Sequence, residues 1–323
     1  MTRRPGRLPA PLLVALALWS VTACSSTLAP TAVTATPTPS TSTPSTPAPA
    51  PSATPSETAT ATPSPSPAVA QPPTDGTVVR YAVKGRQMAM ACFGTGSPTV
   101  LVIPGLTAST SNWEAVARQA SSRTRVCTWD RPGLGQSEQR PATAKPSVGD
   151  MGRELSALLA VAHVDPPYVV VAHSFGGLIA RAFIAQRPAD VTGVLMVDAS
   201  TVGELRSPYF AGIQWWEGGS TTDVPRSIRE LDAAGSLGAT PLVVLTADSS
   251  GDQKKAWFPL QKTLAGLSTD SVHALAVGSG HVIQDDKPST VLGAVAEVVE
   301  AASAGTTLPS CATTFPQLGG RCF

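Results

Sequence analysis

The sequence predicts an α/β domain with a mainly parallel sheet, preceded by an export signal and a linker. Short apolar runs of the kind found in strands covered on both faces recur along the second part of the chain. Stretches with helical periodicity separate them. Residues 24–76 consist almost entirely of Pro, Thr, Ser and Ala and cannot bury a core, so we expect a disordered linker there. Residues 77–323 are sized for one domain.

The first 23 residues are typical of an export signal. Arg3, Arg4 and Arg7 form a basic head before the apolar run LLVALALWSV, which is too short to span a bilayer. The ending VTAC resembles the lipobox of bacterial lipoproteins, so we expect acylation of Cys24 and anchoring at the extracytoplasmic face of the cell membrane. The alternative is an ordinary signal in which Cys24 is incidental. The arginine pair leaves Sec and twin-arginine export both open.

Charge and residue spacing exclude several classes of partner. The chain has 23 basic and 22 acidic residues, which argues against a nucleic-acid partner. Neither the cysteines nor the four histidines have metal-ligand spacing, so we expect no metal and no other cofactor. We expect a monomer.

Four cysteines remain if Cys24 is acylated. An even number in an exported chain favours disulfides, and three pairings are possible. The short segment CATTFPQLGGRC makes Cys311 with Cys322 the simplest pair, and closing that loop would stabilise the domain by about 3 kcal/mol. Cys92 and Cys127 then either pair or remain as two buried thiols.

Apolar runs and helical stripes place the elements of the domain. Strands are predicted at MAMACF (88–93), TVLVIPG (99–105), RVCTWD (125–130), YVVVAHS (168–174), GVLMVDAS (193–200), PLVVLTAD (241–248) and VHALAV (272–277). One helix follows Ser147, a suitable N-cap, because apolar residues recur at steps of three and four up to Ala162. Further helices are expected over 175–186 and 289–301. The alternation predicts right-handed crossovers, with ligands bound at the carboxyl ends of the strands.

Ser174 lies where a strand turns into a helix. Its frame A-H-S-F-G departs from G-x-S-x-G only at Ala172. A tight strand-to-helix turn needs small residues two positions before and after the serine, and it presents the hydroxyl outward. A free hydroxyl is a weak nucleophile at neutral pH and requires a base. The alternative role for Ser174 is a helix N-cap.

The chain from 77 to 305 resembles the α/β-hydrolase family. The resemblance is carried by LVIPGL, CTWDRPGLGQS, VVVAHSFGG, an Asp that ends a strand, and GSGHVIQDDKP before the final helix. The family order of nucleophile, acid and base implies Ser174, Asp248 and His281. His281 would transfer the Ser174 proton, and Asp248 would orient the imidazole. Asp198 competes for the acid role, and Asp252 lies close to Asp248 in the sequence.

The remaining histidines have ordinary structural interpretations. We expect His173 to pack against the sheet, His163 to end a helix and His273 to begin a strand.

The resemblance also implies donors for a developing oxyanion. These are the backbone N–H groups of Phe175 and Leu106, the latter following Pro104-Gly105 where the family usually has His-Gly. We expect DRPGLGQS to form a turn at the site wall rather than to supply a catalytic group. Residues from about 201 to 240 form the expected short lid. Its aromatic residues either line an acyl pocket or form the core of the lid: Tyr209, Phe210, Trp215 and Trp216.

These features predict an exported, membrane-tethered serine hydrolase acting on an ester or related acyl substrate through an acyl-enzyme. Ser174 excludes the relatives of the family that use an Asp nucleophile. The alternative from a different class is a non-catalytic surface lipoprotein that uses the same fold to bind a ligand or a cell-wall partner.

Overall fold

The computed structural model of this protein describes residues 71–248 and 251–323. The export signal at 1–23, Cys24 and the linker up to residue 70 lie outside the described residues. The strands are β1 (Asp75–Val83), β2 (Arg86–Phe93), β3 (Thr99–Ile103), β4 (Val126–Trp129), β5 (Tyr168–His173), β6 (Val191–Val197), β7 (Trp216–Glu217), β8 (Ser220–Thr221), β9 (Leu242–Ala247), β10 (Ser271–Ala276) and β11 (Gly320–Cys322). The α-helices are α1 (Glu114–Ala120), α2 (Val148–Val161), α3 (Gly176–Gln186), α4 (Val202–Arg206), α5 (Val224–Ala233), α6 (Gly251–Ala265), α7 (Ile283–Asp286), α8 (Pro288–Ala304) and α9 (Cys311–Thr314).

Nine of the described strands form one mostly parallel sheet, in the order β1-β2-β4-β3-β5-β6-β9-β10-β11. The six strands from β4 to β10 in that order are mutually parallel. Antiparallel strands extend both edges, namely β1 and β2 on one side and β11 on the other. The predicted fold class, a mainly parallel sheet flanked by helices, is confirmed.

The sheet is buried on both faces, which is why its strands are continuously apolar. Successive side chains of β5 point to opposite faces. Val170 and Ala172 share a buried cluster with Leu155 of α2 and Phe183 of α3. Val171 joins the opposite cluster, in which α1 and α8 supply Val116, Val291 and Val295.

The predicted helices match α2, α3 and α8 to within a few residues. Ser147 caps α2 as expected, since its hydroxyl accepts a hydrogen bond from the Asp150 N–H at 3.1 Å. Two edge strands were not predicted from the sequence, β1 and the three-residue β11. Strand β1 begins at Asp75, two residues before the expected start of the domain.

Two disulfides are present, the expected Cys311–Cys322 bond and a bond between Cys92 and Cys127. Cys92 and Cys127 are directly paired residues of β2 and β4, with Cα atoms 4.1 Å apart. Cys311 and Cys322 close the C-terminal loop, with Cα atoms 5.7 Å apart. The open alternative for Cys92 and Cys127 is thus resolved as a bond between buried sulfurs. The second bond joins α9 to β11, the strand that pairs with β10 at the edge of the sheet.

The carboxyl ends of four adjacent parallel strands lead into polar residues. Ser174 follows β5, Asp198 follows β6, Asp248 follows β9, and the loop after β10 carries His281. The expected lid segment contains α4, the β7–β8 hairpin and α5, inserted between β6 and β9. Among the described residues, no helix has the length and apolar character required to cross a bilayer.

Candidate active site

Ser174 occupies a strained turn between β5 and α3. Its φ is +50°, in the left-handed region that side chains rarely adopt. The turn is tight, because a Cβ at Gly176 would collide with the carbonyl oxygen of Ile103. The Ser174 side chain does not cap α3, whose N-cap residue is Phe175. Strain that presents a hydroxyl at the end of a strand is typical of a nucleophile elbow.

The imidazole of His281 connects the Ser174 hydroxyl to a carboxylate. Its Nε2 lies 2.8 Å from Ser174 Oγ, and its Nδ1 lies 2.6 Å from Asp198 Oδ2. The carbonyl oxygen of His281 also lies 2.9 Å from Nε2 of His173, the residue before the serine. His281 is therefore held through both its ring and its backbone.

The carboxylate of Asp198 is buried and fully engaged. Oδ1 accepts hydrogen bonds from the indole Nε1 of Trp257 at 2.7 Å and from the backbone N–H of Ala247 at 2.9 Å. Only Oδ2 is left for His281. Both donors are neutral. They fix the orientation of the carboxylate and leave its negative charge to stabilise a protonated His281 imidazole.

The two histidines beside Ser174 differ in their electrostatics. Removal from water and the nearby His281 lower the pKa of His173 to about 4, so its ring is neutral at ordinary pH. Partial desolvation also lowers the pKa of His281. The hydrogen bond and charge of Asp198, with a contribution from Glu204, outweigh it and raise the pKa of His281 above its ordinary value. A raised pKa makes the imidazole a stronger base for accepting the proton of Ser174.

The prediction that Asp248 contacts the imidazole is wrong. Asp248 Oδ2 accepts a hydrogen bond from the backbone N–H of Gly278 at 3.0 Å, and its own N–H donates to the Ser279 carbonyl at 3.1 Å. Asp248 thus supports the turn that leads to His281. Asp198, the alternative acid, occupies the position against the ring. The side chain of Asp252 lies outside the described residues.

The two predicted oxyanion donors border the same cavity as Ser174 and His281. Among the described backbone hydrogen bonds of loops and turns, none is donated by the N–H of Leu106 or of Phe175. Phe175 is also the N-cap residue of α3, whose dipole favours negative charge at that end. The arrangement is suited to an anionic oxygen near Ser174 Oγ.

A buried ion pair holds the loop that carries Leu106. The Arg131 guanidinium donates to Pro104 O at 2.7 Å and to Gly105 O at 2.5 Å. It also forms a bidentate pair with Glu217 at 2.6 and 2.8 Å, and both side chains are at most 1% exposed. Burial alone would raise the pKa of Glu217, but the charge and hydrogen bonds of Arg131 bring it below its ordinary value. Glu217 Oε2 in turn accepts the N–H of Thr107 at 3.1 Å.

The DRPGLGQS segment has the predicted structural role at Asp130 and its glycines. Asp130 accepts backbone N–H groups from Thr110 at 2.7 Å and from Gln136 at 2.9 Å. Gly133 and Gly135 have positive φ as expected. Arg131 goes beyond that interpretation, since it links the segment to the loop of Leu106.

A cavity of about 340 Å³ opens beside the hydroxyl and is lined mainly by aromatic and polar side chains. Of the four aromatic residues of the insertion, Phe210 and Trp215 line the cavity, whereas Tyr209 and Trp216 are 56% and 53% exposed. The polar residues of its wall include Ser200 and Glu204. Within residues 71–248 and 251–323, no group of three or more His, Cys, Asp or Glu side chains could hold a metal ion.

Comparisons with known proteins agree with the observed fold. Residues 98–226 match the family model described as alpha/beta hydrolase fold. The chain is 27% identical to the uncharacterised protein YqjL of Bacillus subtilis over 217 residues, 64% of this chain and 85% of YqjL. A solved bacterial membrane phospholipase A superposes with a TM-score of 0.52 at 17% identity, covering 70% of this chain and 86% of that one. The chain has the α/β-hydrolase fold.

A further relative of this chain has a named activity. The sn-1-specific diacylglycerol lipase ABHD11 of Mus musculus is 34% identical over 108 residues, which is 33% of this chain and 34% of the lipase. In four curated relatives other than YqjL, this lipase among them, the match spans about a third of the relative's own length or less. The family and these neighbours support a hydrolase with a small-molecule substrate.

Sequence reasoning missed four residues of the candidate site. Glu217, Glu204 and Trp257 lie in segments with no recognisable motif, and Arg131 lies within a motif interpreted only as a turn. The signal that was available for Arg131 and Glu217 is their opposite charge, but 86 positions separate them in the sequence.

Replacing Glu217 by Gln should destabilise the protein by about 3–5 kcal/mol, because it leaves the Arg131 guanidinium buried without a counter-charge. Denaturant unfolding measures this change. The matched control is Glu114→Gln, which breaks the solvent-exposed Glu114–Arg118 pair and should cost about 0.5 kcal/mol or less. Equal stabilities of Glu217→Gln and the wild type would contradict the role given to the buried pair.

Proposed function

We propose that this protein is a serine hydrolase that cleaves an ester or related acyl substrate through an acyl-enzyme. The observation that carries the proposal is the continuous chain of contacts from Ser174 Oγ through His281 to Asp198. A hydroxyl, an imidazole and a buried carboxylate in this order are the components of nucleophilic acyl transfer.

In the first step, Ser174 Oγ attacks the substrate carbonyl carbon while His281 Nε2 accepts the hydroxyl proton. Asp198 stabilises the resulting imidazolium through Nδ1. The negative charge on the carbonyl oxygen is stabilised by the N–H groups of Leu106 and Phe175, and one such donor typically contributes about 3 kcal/mol. When the tetrahedral intermediate collapses, His281 returns the proton to the departing alcohol, and the acyl group remains on Ser174.

In the second step, water replaces the alcohol. His281 removes a proton from the water as it attacks the acyl carbon, and the same oxyanion donors stabilise the second intermediate. Its collapse releases the carboxylic acid, and His281 returns the proton to Ser174 Oγ. The sequence of steps needs no group beyond the residues named.

The cavity supports a substrate of small or medium size. Its volume of about 340 Å³ lies near the lower end of the range for small-molecule sites. The aromatic side chains of Phe210 and Trp215 provide apolar surface for an acyl or alcohol group. Similarity to the diacylglycerol lipase over a third of the chain is in keeping with ester cleavage.

A fluorophosphonate probe, which phosphonylates an activated serine with loss of fluoride, should label the wild type. Ser174→Ala should not be labelled, and its kcat on 4-nitrophenyl acetate should fall by roughly 10⁴-fold or more. Ser156→Ala serves as the control, because this hydroxyl bonds to the carbonyl of Gly152 within α2. Failure of the probe to label folded wild-type protein would refute the proposed hydrolase activity. It would favour the alternative of a non-catalytic surface lipoprotein that binds a ligand or a cell-wall partner.

We also propose that the hydrolase is exported and anchored by acylation of Cys24. The lipobox-like sequence supports this, and two disulfides suit an oxidising compartment outside the cytoplasm. Two or three acyl chains suffice for stable membrane attachment.

In a bacterial host fed radiolabelled palmitate, the wild-type protein should carry the label and fractionate with membranes. Cys24→Ser should lose both properties, whereas Cys311→Ser, which removes a cysteine of the C-terminal loop, should keep the label. Equal labelling and fractionation of wild type and Cys24→Ser would contradict the proposal that acylation of Cys24 anchors the protein.

A further inference from the structure

The cavity wall contains a buried carboxylate that takes no part in the bond-making steps proposed for Ser174, His281 and Asp198. Glu204 lies in α4 of the insertion and is 5% exposed. Its Oε2 is buried without a hydrogen-bond partner among the described residues. The ion pairs between described residues do not include Glu204. An unpartnered buried oxygen is costly to maintain, so its presence in a ligand cavity calls for an explanation.

The groups that act electrostatically on Glu204 relieve only part of this cost. Burial raises the pKa of Glu204 to about 7, with hydrogen bonding from Ser200, the charge of His281 and the backbone N–H of Thr201 opposing it, and the charge of Asp198 adding to it. His281 is already paired with Asp198 at 2.6 Å. Among the described residues, the Glu204 carboxylate therefore has no positively charged partner of its own.

The rest of the cavity wall favours a cation. Phe210, Trp215 and Trp257 line the same cavity as Glu204. The faces of aromatic rings attract ammonium groups, and a desolvated carboxylate beside them supplies the counter-charge. Together they form an environment that stabilises a positive charge better than an alkyl chain of the same shape.

We propose that Glu204 is a specificity-determining residue that binds an ammonium group on the substrate, so that the preferred substrates are cationic esters. The inference rests on the proposed function, because it assigns a substrate class to the same cavity. The ammonium group donates to Glu204 Oε2 while the ester carbonyl lies at Ser174 Oγ.

The test compares 4-nitrophenyl 6-aminohexanoate with 4-nitrophenyl heptanoate, in which a methyl group replaces the ammonium group. At pH 8 the Glu204 carboxylate is mostly ionised, since its pKa is about 7. The wild type should favour the ammonium ester in kcat/KM, and Glu204→Gln should reduce that preference by roughly 10- to 100-fold. The ratio of the two esters cancels any effect of Glu204 on the basicity of His281, which acts on both substrates alike.

Asp232→Asn is the matched control. It removes one negative charge from α5 of the same insertion, where Asp232 pairs with Arg206 at the surface. Its ester preference should equal that of the wild type. Glu204→Met provides a second neutral variant of similar size should the Gln variant fail to fold, as judged by its melting curve. An unchanged preference in the folded variant would overturn the inference and leave the hydrolase intact.

A binding measurement separates this inference from the proposed function. In the Ser174→Ala background, n-pentylammonium chloride should raise the melting temperature, and n-pentanol should raise it less. Adding Glu204→Gln should abolish the difference between the two compounds. If no ester is cleaved but this difference depends on Glu204, the hydrolase proposal fails and the cation site stands. If esters are cleaved but the two compounds act alike, the cation site fails.

Discussion

The imidazole of His281 must be held between the hydroxyl of Ser174 and the carboxylate of Asp198, and the elements that carry these three residues serve that requirement. Both contacts are shorter than 3 Å. A parallel sheet supplies two of the three groups directly, because β5 and β6 are neighbours and end at the same edge. The third arrives on a loop, which is secured by the contact of its carbonyl with His173 and by the turn that Asp248 supports. Asp198, at the end of the strand next to β5, thus contacts the imidazole, whereas Asp248 stabilises the loop that carries His281.

The oxyanion side of the site depends on a second, independent constraint. Arg131 is buried and links the carbonyls before Leu106 to Glu217, which lies in the β7–β8 hairpin of the insertion. A buried pair of charges contributes little net stability, but removing either partner is costly. The pair therefore keeps the loop and the insertion in one arrangement. It also joins the segment that lines the substrate cavity to the segment that carries an oxyanion donor, so changes in the insertion are expected to affect both binding and chemistry.

Much of this protein could be predicted from its sequence because strand ends and tight turns have local signatures. The elbow at Ser174, the seven central strands and the position of His281 follow from patterns a few residues long. The choice between Asp198 and Asp248 does not, because both end buried strands at the same edge, and only the path of the loop from β10 decides which one the ring reaches. Arg131 with Glu217, and Trp257 with Asp198, are contacts between distant segments that no local pattern encodes. Strand β11 was missed because three residues and a disulfide carry no periodicity.

The pKa of His281, followed through its ring resonances by NMR as the pH is varied, tests the central arrangement most directly. The hydrogen bond and charge of Asp198 raise this pKa, so Asp198→Asn should lower it and should remove the low-field resonance of the proton on Nδ1. Asp248→Asn should leave both unchanged, since that carboxylate bonds to the backbone of Gly278. A pKa that falls in Asp248→Asn and stays constant in Asp198→Asn would contradict the account.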